Sequence, residues 1–192
     1  MIEISSDIKA LLFDCDGTLA DTMPIHLNAW DESFKLVNRI CPIDFFDSMK
    51  GAPAEKIIKI YNEKFDDDLH PEKFAKSKDN LIIEKLKNAK PIKPVADLAF
   101  QYKNILPVAV VSGGLKRNVL LTLEALGMED HFDAIITSDD GLAPKPNPDM
   151  FLEAAKRLNV SPENCLVFED ADLGIEAAVN ANMKFIDVRE FI

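Results

Sequence analysis

Five short apolar runs constrain this chain more than any other feature: residues 8–13, 107–111, 133–137, 165–168 and 184–188. Each is too short for a helix and reads as a strand, and the first, bounded by polar residues, reads as a buried one. Stretches of helical spacing separate the last four. One runs from Leu115 to Leu126 and is closed by Gly127. A second runs to Leu158, with Asn147 expected as its cap and Pro148 in its first position. A third spans Leu173 to Ala181. Val95, Leu98, Ala99 and Tyr102 form one more helix face, after a stiff connector predicted over Pro91–Pro94. Strand and helix in alternation imply parallel βαβ units with helices on both faces, an α/β fold.

The interval between the first and second runs is different. Leu27, Trp30, Phe34 and Val37 recur at helical spacing behind Pro24. Ile57, Ile58, Tyr61 and Phe65 make a second stripe, and Pro71 opens a third with Phe74, Ile82 and Leu86. No strand is expected here. The predicted division is residues 1–21 with 92–192 as an α/β core, and residues 22–91 as an inserted all-helical cap. Asp66–Asp68 reads as a solvated turn.

The formal net charge is −11, without a basic stripe, which argues against nucleic acid and against docking on anionic lipid. Cys15, Cys41 and Cys165 lie far apart with no C-x-x-C pair, as in a reducing compartment. Met1–Lys9 has no apolar segment of the signal-peptide kind, and no apolar run reaches the roughly 18 residues of a membrane span. The expectation is a cytoplasmic protein, a monomer or weak homo-oligomer.

Ligands of open parallel sheets bind beyond the carboxyl ends of the strands. Those ends carry Asp14 and Asp16, then Ser112, Gly113 and Gly114, then Ser138, Asp139 and Asp140 followed by Lys145, then Glu169 and Asp170. One polar end is ordinary; the same coincidence at four strands describes a site. Several carboxylates at one rim repel and call for a cation, and oxygen donors beside an ammonium favour Mg²⁺. A carboxylate can attack phosphorus, and a second one two residues on can exchange protons with the leaving group and with water. The Gly113–Gly114 amides ahead of a helix make an anion site, and Lys145 can neutralise phosphate. Such a set suits phosphoryl transfer, which is mostly positioning and charge stabilisation.

Phe13-Asp14-Cys15-Asp16-Gly17-Thr18-Leu19-Ala20-Asp21-Thr22 resembles the first motif of haloacid dehalogenase-type phosphatases. Ser112-Gly113, Lys145-Pro146 and Glu169-Asp170-Ala171-Asp172-Leu173-Gly174-Ile175 resemble the other three, in order and across essentially the whole chain. The insert resembles the small helical cap of the β-phosphoglucomutase-like branch, with Thr22, His26 and Trp30 on its first helix and Lys50-Gly51 as a cap-loop motif. The ending Ile186–Arg189 is similar to compact fructose-1-phosphatase/6-phosphogluconate phosphatase-like members. The resemblance implies a Rossmann-like doubly wound parallel sheet with the first strand central. It implies Asp14 as nucleophile and Mg²⁺ ligand, Asp16 as acid/base with its main-chain carbonyl on the metal, and Glu169 and Asp170 as metal ligands. Ser112, Gly113 and Lys145 would bind phosphate, and Thr22, His26, Lys50 and Lys78 are candidates to meet substrate in the cap.

Mutases of that branch hold a distal phosphate with an Arg soon after the Lys-Gly pair. Residues 50–56 here contain none, and Lys56 or Lys78 would be an imperfect stand-in. The expected activity is therefore hydrolysis of small sugar or polyol phosphates through an aspartyl phosphate, with a phosphosugar mutase as the alternative. A regulatory phospho-acceptor of the receiver type is a more distant alternative. Receivers share Asp, Ser/Thr and Lys but lack both the insert and Asp-x-Asp.

Overall fold

The computed structural model describes residues 4–191; Met1–Glu3, where the leader expectation begins, and Ile192 lie outside the described residues. The five runs form one parallel sheet of order β3-β2-β1-β4-β5, made of β1 (Ala10–Phe13), β2 (Val108–Val111), β3 (Ala134–Ile136), β4 (Cys165–Glu169) and β5 (Lys184–Asp187). β1 is central, with Leu12 opposite Ala109 on one side and Val167 on the other. Alternate side chains go to opposite faces. Leu11, Phe13, Val108, Val110 and Phe168 pack with α5 (Lys93–Tyr102) and α6 (Lys116–Ala125). Leu12, Ala109, Val111, Cys165 and Val167 pack with α7 (Asp149–Leu158) and α8 (Asp172–Asn180). Burial on both faces is why β1, β2 and β4 read as unbroken apolar runs, whereas β5, at the edge of the sheet, is exposed or half-buried along its length.

Four helices lie between β1 and α5: α1 (Met23–Leu36), α2 (Ile43–Asp47), α3 (Ala54–Phe65) and α4 (Pro71–Leu86). They have a core of their own, in which Phe34 meets Phe46, Tyr61 and Phe74 edge-on at 5.1–5.3 Å between ring centroids. A second contact, of Ala29, Ile82 and Leu86 with Leu121, ties α1 and α4 to α6. The two strands of chain that join this layer to the sheet run side by side. Asp21 N–H donates to the Lys90 carbonyl at 2.8 Å, and Ile92 N–H to that of Leu19 at 2.9 Å.

Two expectations need correction, and one helix is new. Asn147 does not cap α7: Pro148 takes that place, and the Asn147 amide instead donates to the Pro144 carbonyl at 2.8 Å. The connector ends at Ile92, because Pro94 sits in the first turn of α5, where its missing N–H costs nothing. Helix α2 was not anticipated; five residues are too few to display a period. The turn at Asp66–Asp68 is partly tied down, with Asp67 accepting from the Tyr61 hydroxyl and Arg39 paired to Asp67 and Asp68.

Candidate active site

Asp14 follows the last residue of β1, and its N–H donates to the Phe168 carbonyl of β4 at 3.0 Å. This places it beside Glu169 and Asp170 at the end of the neighbouring strand. One carboxylate oxygen from each of the three lies within 4.8 Å of the others, and all three residues are buried. Lys145 reaches in from the loop before α7 with no exposed surface. Its Nζ donates to Asp14 Oδ1 and Glu169 Oε2, both at 2.7 Å, and to the Val111 carbonyl at 3.1 Å. One ammonium does not neutralise three carboxylates. Burial, then the charge of Glu169, pushes the Asp14 carboxyl well above its ordinary value. Burial and Glu169 likewise push Asp170 up to about 6, against the opposing pull of Thr18 and Lys145. A buried oxygen-only cluster with excess negative charge fits a hard divalent cation such as Mg²⁺. Gly17 belongs to this cradle: its φ is +89°, and a Cβ there would collide with the Asp170 carboxylate.

Asp16 faces the other way. Its Oδ1 accepts from the Thr22 hydroxyl at 2.6 Å and lies 3.2 Å from His26 Nε2. Lys78 Nζ, from α4, donates to His26 Nδ1 at 2.8 Å, which leaves the ring proton on Nε2, toward Asp16. Burial alone would raise the Asp16 carboxyl. The charge and hydrogen bond of His26, the Thr22 hydroxyl and the Lys78 charge outweigh it and bring it down to about 2. Burial lowers the Lys78 ammonium, against the opposing charges of Asp79 and Asp16.

These groups open into a pocket of about 880 Å³ between the helical insert and the sheet. Ser112, Gly113 and Gly114 line it, with the Gly114 N–H donating to Ser112 Oγ at 3.0 Å. The first turn of α6 follows; its Lys116 N–H donates to the Asp139 carboxylate and its Asn118 N–H to the Leu115 carbonyl, so that turn is largely satisfied within the chain. Of the candidate residues, Asp14, Asp16, His26, Lys50, Lys78, Ser112, Gly113, Glu169 and Asp170 line the pocket, and Thr22 and Lys145 reach it through Asp16 and Asp14. Lys56 is not among the lining residues, and the Lys78 ammonium is engaged by His26 rather than free for a distal phosphate. Lys76, Lys116 and Arg117 also line the pocket, unpaired among the described residues. None of the three is among the residues expected at the site. Lys116 and Arg117 directly follow the Ser112–Gly114 anion motif, and continuing it one helical turn would have found both. Trp30 is both core and wall, with its ring 4.6 Å from that of Phe46 and the Lys78 ammonium 5.2 Å away.

A family model of haloacid dehalogenase-like hydrolases matches residues 8–182. Fructose-1-phosphate phosphatase YqaB of Escherichia coli (strain K12) is 35% identical over 179 residues, covering 93% of this chain and 95% of that protein. The phosphorylated carbohydrates phosphatase of Thermotoga maritima is 29% identical, covering 93% of this chain and 84% of its own length. Among solved structures, β-phosphoglucomutase from Clostridium difficile superposes with a TM-score of 0.80 at 30% identity, covering 93% of this chain and 83% of that one.

Proposed function

Because the chain belongs to the haloacid dehalogenase-like hydrolases, we propose that it is a magnesium-dependent phosphatase of small phosphorylated sugars and polyols, acting through an aspartyl phosphate on Asp14. One observation carries this reading. A buried carboxylate held by Lys145 and a second carboxylate with its own proton chain open into one pocket of small-metabolite size. The similar proteins named as phosphatases of fructose 1-phosphate and of phosphorylated carbohydrates point to the same substrate class.

Asp14, Glu169 and Asp170, with the main-chain oxygen of Asp16, would hold Mg²⁺, which when bound neutralises the charge of the phosphoryl group. The Ser112 hydroxyl, the Gly113 amide and the Lys145 ammonium bind and orient the phosphoryl oxygens, with the Gly114 N–H holding Ser112 Oγ in place. Asp14 attacks phosphorus and forms the acyl phosphate as the bond to the sugar oxygen breaks. That oxygen takes a proton from Asp16. Asp16 rests ionised, so its proton must be delivered, and the Lys78–His26–Asp16 chain provides the route: Nε2 gives its proton to Asp16 while Nδ1 takes one from Lys78. Asp16 then accepts a proton from water, which attacks phosphorus and restores Asp14.

The deciding experiment is phosphate release over a panel of sugar and polyol phosphates, with Mg²⁺ and with excess chelator, for the wild type and Asp14→Asn. Full turnover in chelator, or a tenth of wild-type turnover in Asp14→Asn, overturns the mechanism.

A phosphosugar mutase is the second reading, and Arg117 at the pocket favours it as a bidentate anion donor that the cap loop lacks. Product analysis with β-glucose 1-phosphate, with and without the 1,6-bisphosphate, separates the two. Glucose 6-phosphate forming faster than phosphate is released from any panel member establishes the mutase.

A further inference from the structure

Helix α4 buries Phe74, Ala75, Ile82 and Leu86 on one face, and in the middle of that face it also buries Lys78 and Asp79. A helix normally fills such a stripe with apolar side chains. Two charges there cost stability unless each is paired, and even a paired couple is seldom worth more than the apolar residues it replaces. The partners are few. The Lys78 ammonium has His26 Nδ1 at 2.8 Å, Asp79 Oδ1 at 3.5 Å and the Trp30 ring, whose centroid is 5.2 Å away. Among the described residues the Asp79 carboxylate is bonded to Lys78 alone. The charges that oppose the burial of Lys78 are Asp79 first and then Asp16, which lies beyond His26.

We propose that Asp79 is a positioning residue of the reaction: it keeps the buried Lys78 ammonium charged and aimed at His26, and so fixes the His26 proton on Nε2, toward Asp16. The inference rests on the proton route proposed above and extends it by one residue. Without the Asp79 carboxylate, the ammonium would have no anion in contact, and it would shed its proton or turn to the water of the pocket. Both outcomes take the donor away from Nδ1, and the ring is free to carry its own proton there. Nε2 then presents a lone pair to Asp16 and has no proton to pass to the leaving group. Which nitrogen of a histidine holds the proton is set by the bond that the other one makes.

Asp79 also lines the pocket, so direct contact with substrate is the competing role. The test measures kcat and KM for the wild type, Asp79→Asn, His26→Asn and the double variant. The substrates are the sugar phosphate hydrolysed fastest in the panel above and p-nitrophenyl phosphate, both with Mg²⁺. Asp79→Asn should lower kcat on the sugar phosphate by about tenfold or more with KM within about twofold, and should lose much less on p-nitrophenyl phosphate. The double variant should be no slower than His26→Asn, because both residues act through one chain. The chain has three histidines, so ¹⁵N spectra of the rings resolve them. His26 should hold a single Nε2–H tautomer in the wild type and a mixture in Asp79→Asn. Should Asp79→Asn not melt as the wild type does, Asp79→Ser takes its place with the same expectations.

Wild-type kcat, or an unchanged His26 tautomer, overturns the proposal. A raised KM with kcat kept would make Asp79 a substrate contact. Equal losses on the two substrates, or losses that multiply in the double variant, would make it a structural support. If His26→Asn itself loses equally on both substrates, the proton route falls and the role of Asp79 with it. A leaving-group-dependent loss in His26→Asn beside wild-type behaviour in Asp79→Asn overturns the role of Asp79 alone.

Discussion

At the scale of single residues, the site is a set of opposed pKa shifts. Folded Asp170 keeps its proton to about pH 6, against an ordinary value of 3.8. Between those values the folded chain binds more protons than the unfolded one, so this group makes the metal-free protein less stable as pH rises through that window. The difference amounts to roughly 2–3 kcal/mol at neutral pH. Asp170→Asn should therefore raise the melting temperature in chelator by about 5 °C while abolishing stabilisation by Mg²⁺. In the wild type, that Mg²⁺ stabilisation should shrink below pH 6, where proton and metal compete; calorimetry across pH 5–8 reads both. Asp16 has the opposite sign: held down to about 2, it contributes stability that is lost only as pH falls from its ordinary value toward 2. Its neighbour gives a second prediction. His26→Asn should lower kcat on sugar phosphates by about 10²-fold with little change in KM. The loss should be much smaller with p-nitrophenyl phosphate, whose leaving group needs no proton. Equal losses on both substrates would make His26 a structural support only.

At the scale of elements, the insert places the Lys78–His26–Asp16 hydrogen-bond chain, because α1 carries His26, α4 carries Lys78 and the two helices pack against each other. Phe34 has no exposed surface and touches the rings of α2, α3 and α4. Phe34→Ala should cost about 3–5 kcal/mol. Hydrogen exchange should rise across α1–α4 before it rises in the sheet, since each has its own core. What the sequence made legible follows the same division. Asp14, Ser112, Lys145, Glu169 and Asp170 could be gathered from strand ends, because parallel topology brings all those ends to one rim. The pairing of Lys78 with His26, 52 residues apart, depends on how α4 is rotated against α1, which apolar spacing does not encode to the nearest residue. Arg117 was overlooked for a related reason. A charged residue in the first turn of a helix reads as solvated until the opposite wall of a pocket is known.

At the scale of the whole molecule, insert and sheet meet through backbone. A Cβ added at Gly113 would lie 2.5 Å from the Gly51 carbonyl oxygen, and a main-chain atom cannot swing aside as a side chain does. Gly113→Ala should wedge the loop of residues 48–53 off the sheet. KM for sugar phosphates should rise by about tenfold or more, through loss of closure rather than of chemistry, and amide exchange in that loop should quicken. The central place of β1 has another consequence, one of timing. Its partners β2 and β4 begin at Val108 and Cys165, beyond the entire insert, so during synthesis the strand leading into Asp14 emerges early and is paired late. For about half of the chain's growth, Ala10–Phe13 is an apolar segment with both edges open, the condition under which chains associate wrongly. A translation product cut short before β4 is thus a client for chaperone and protease, with no partial activity to lose.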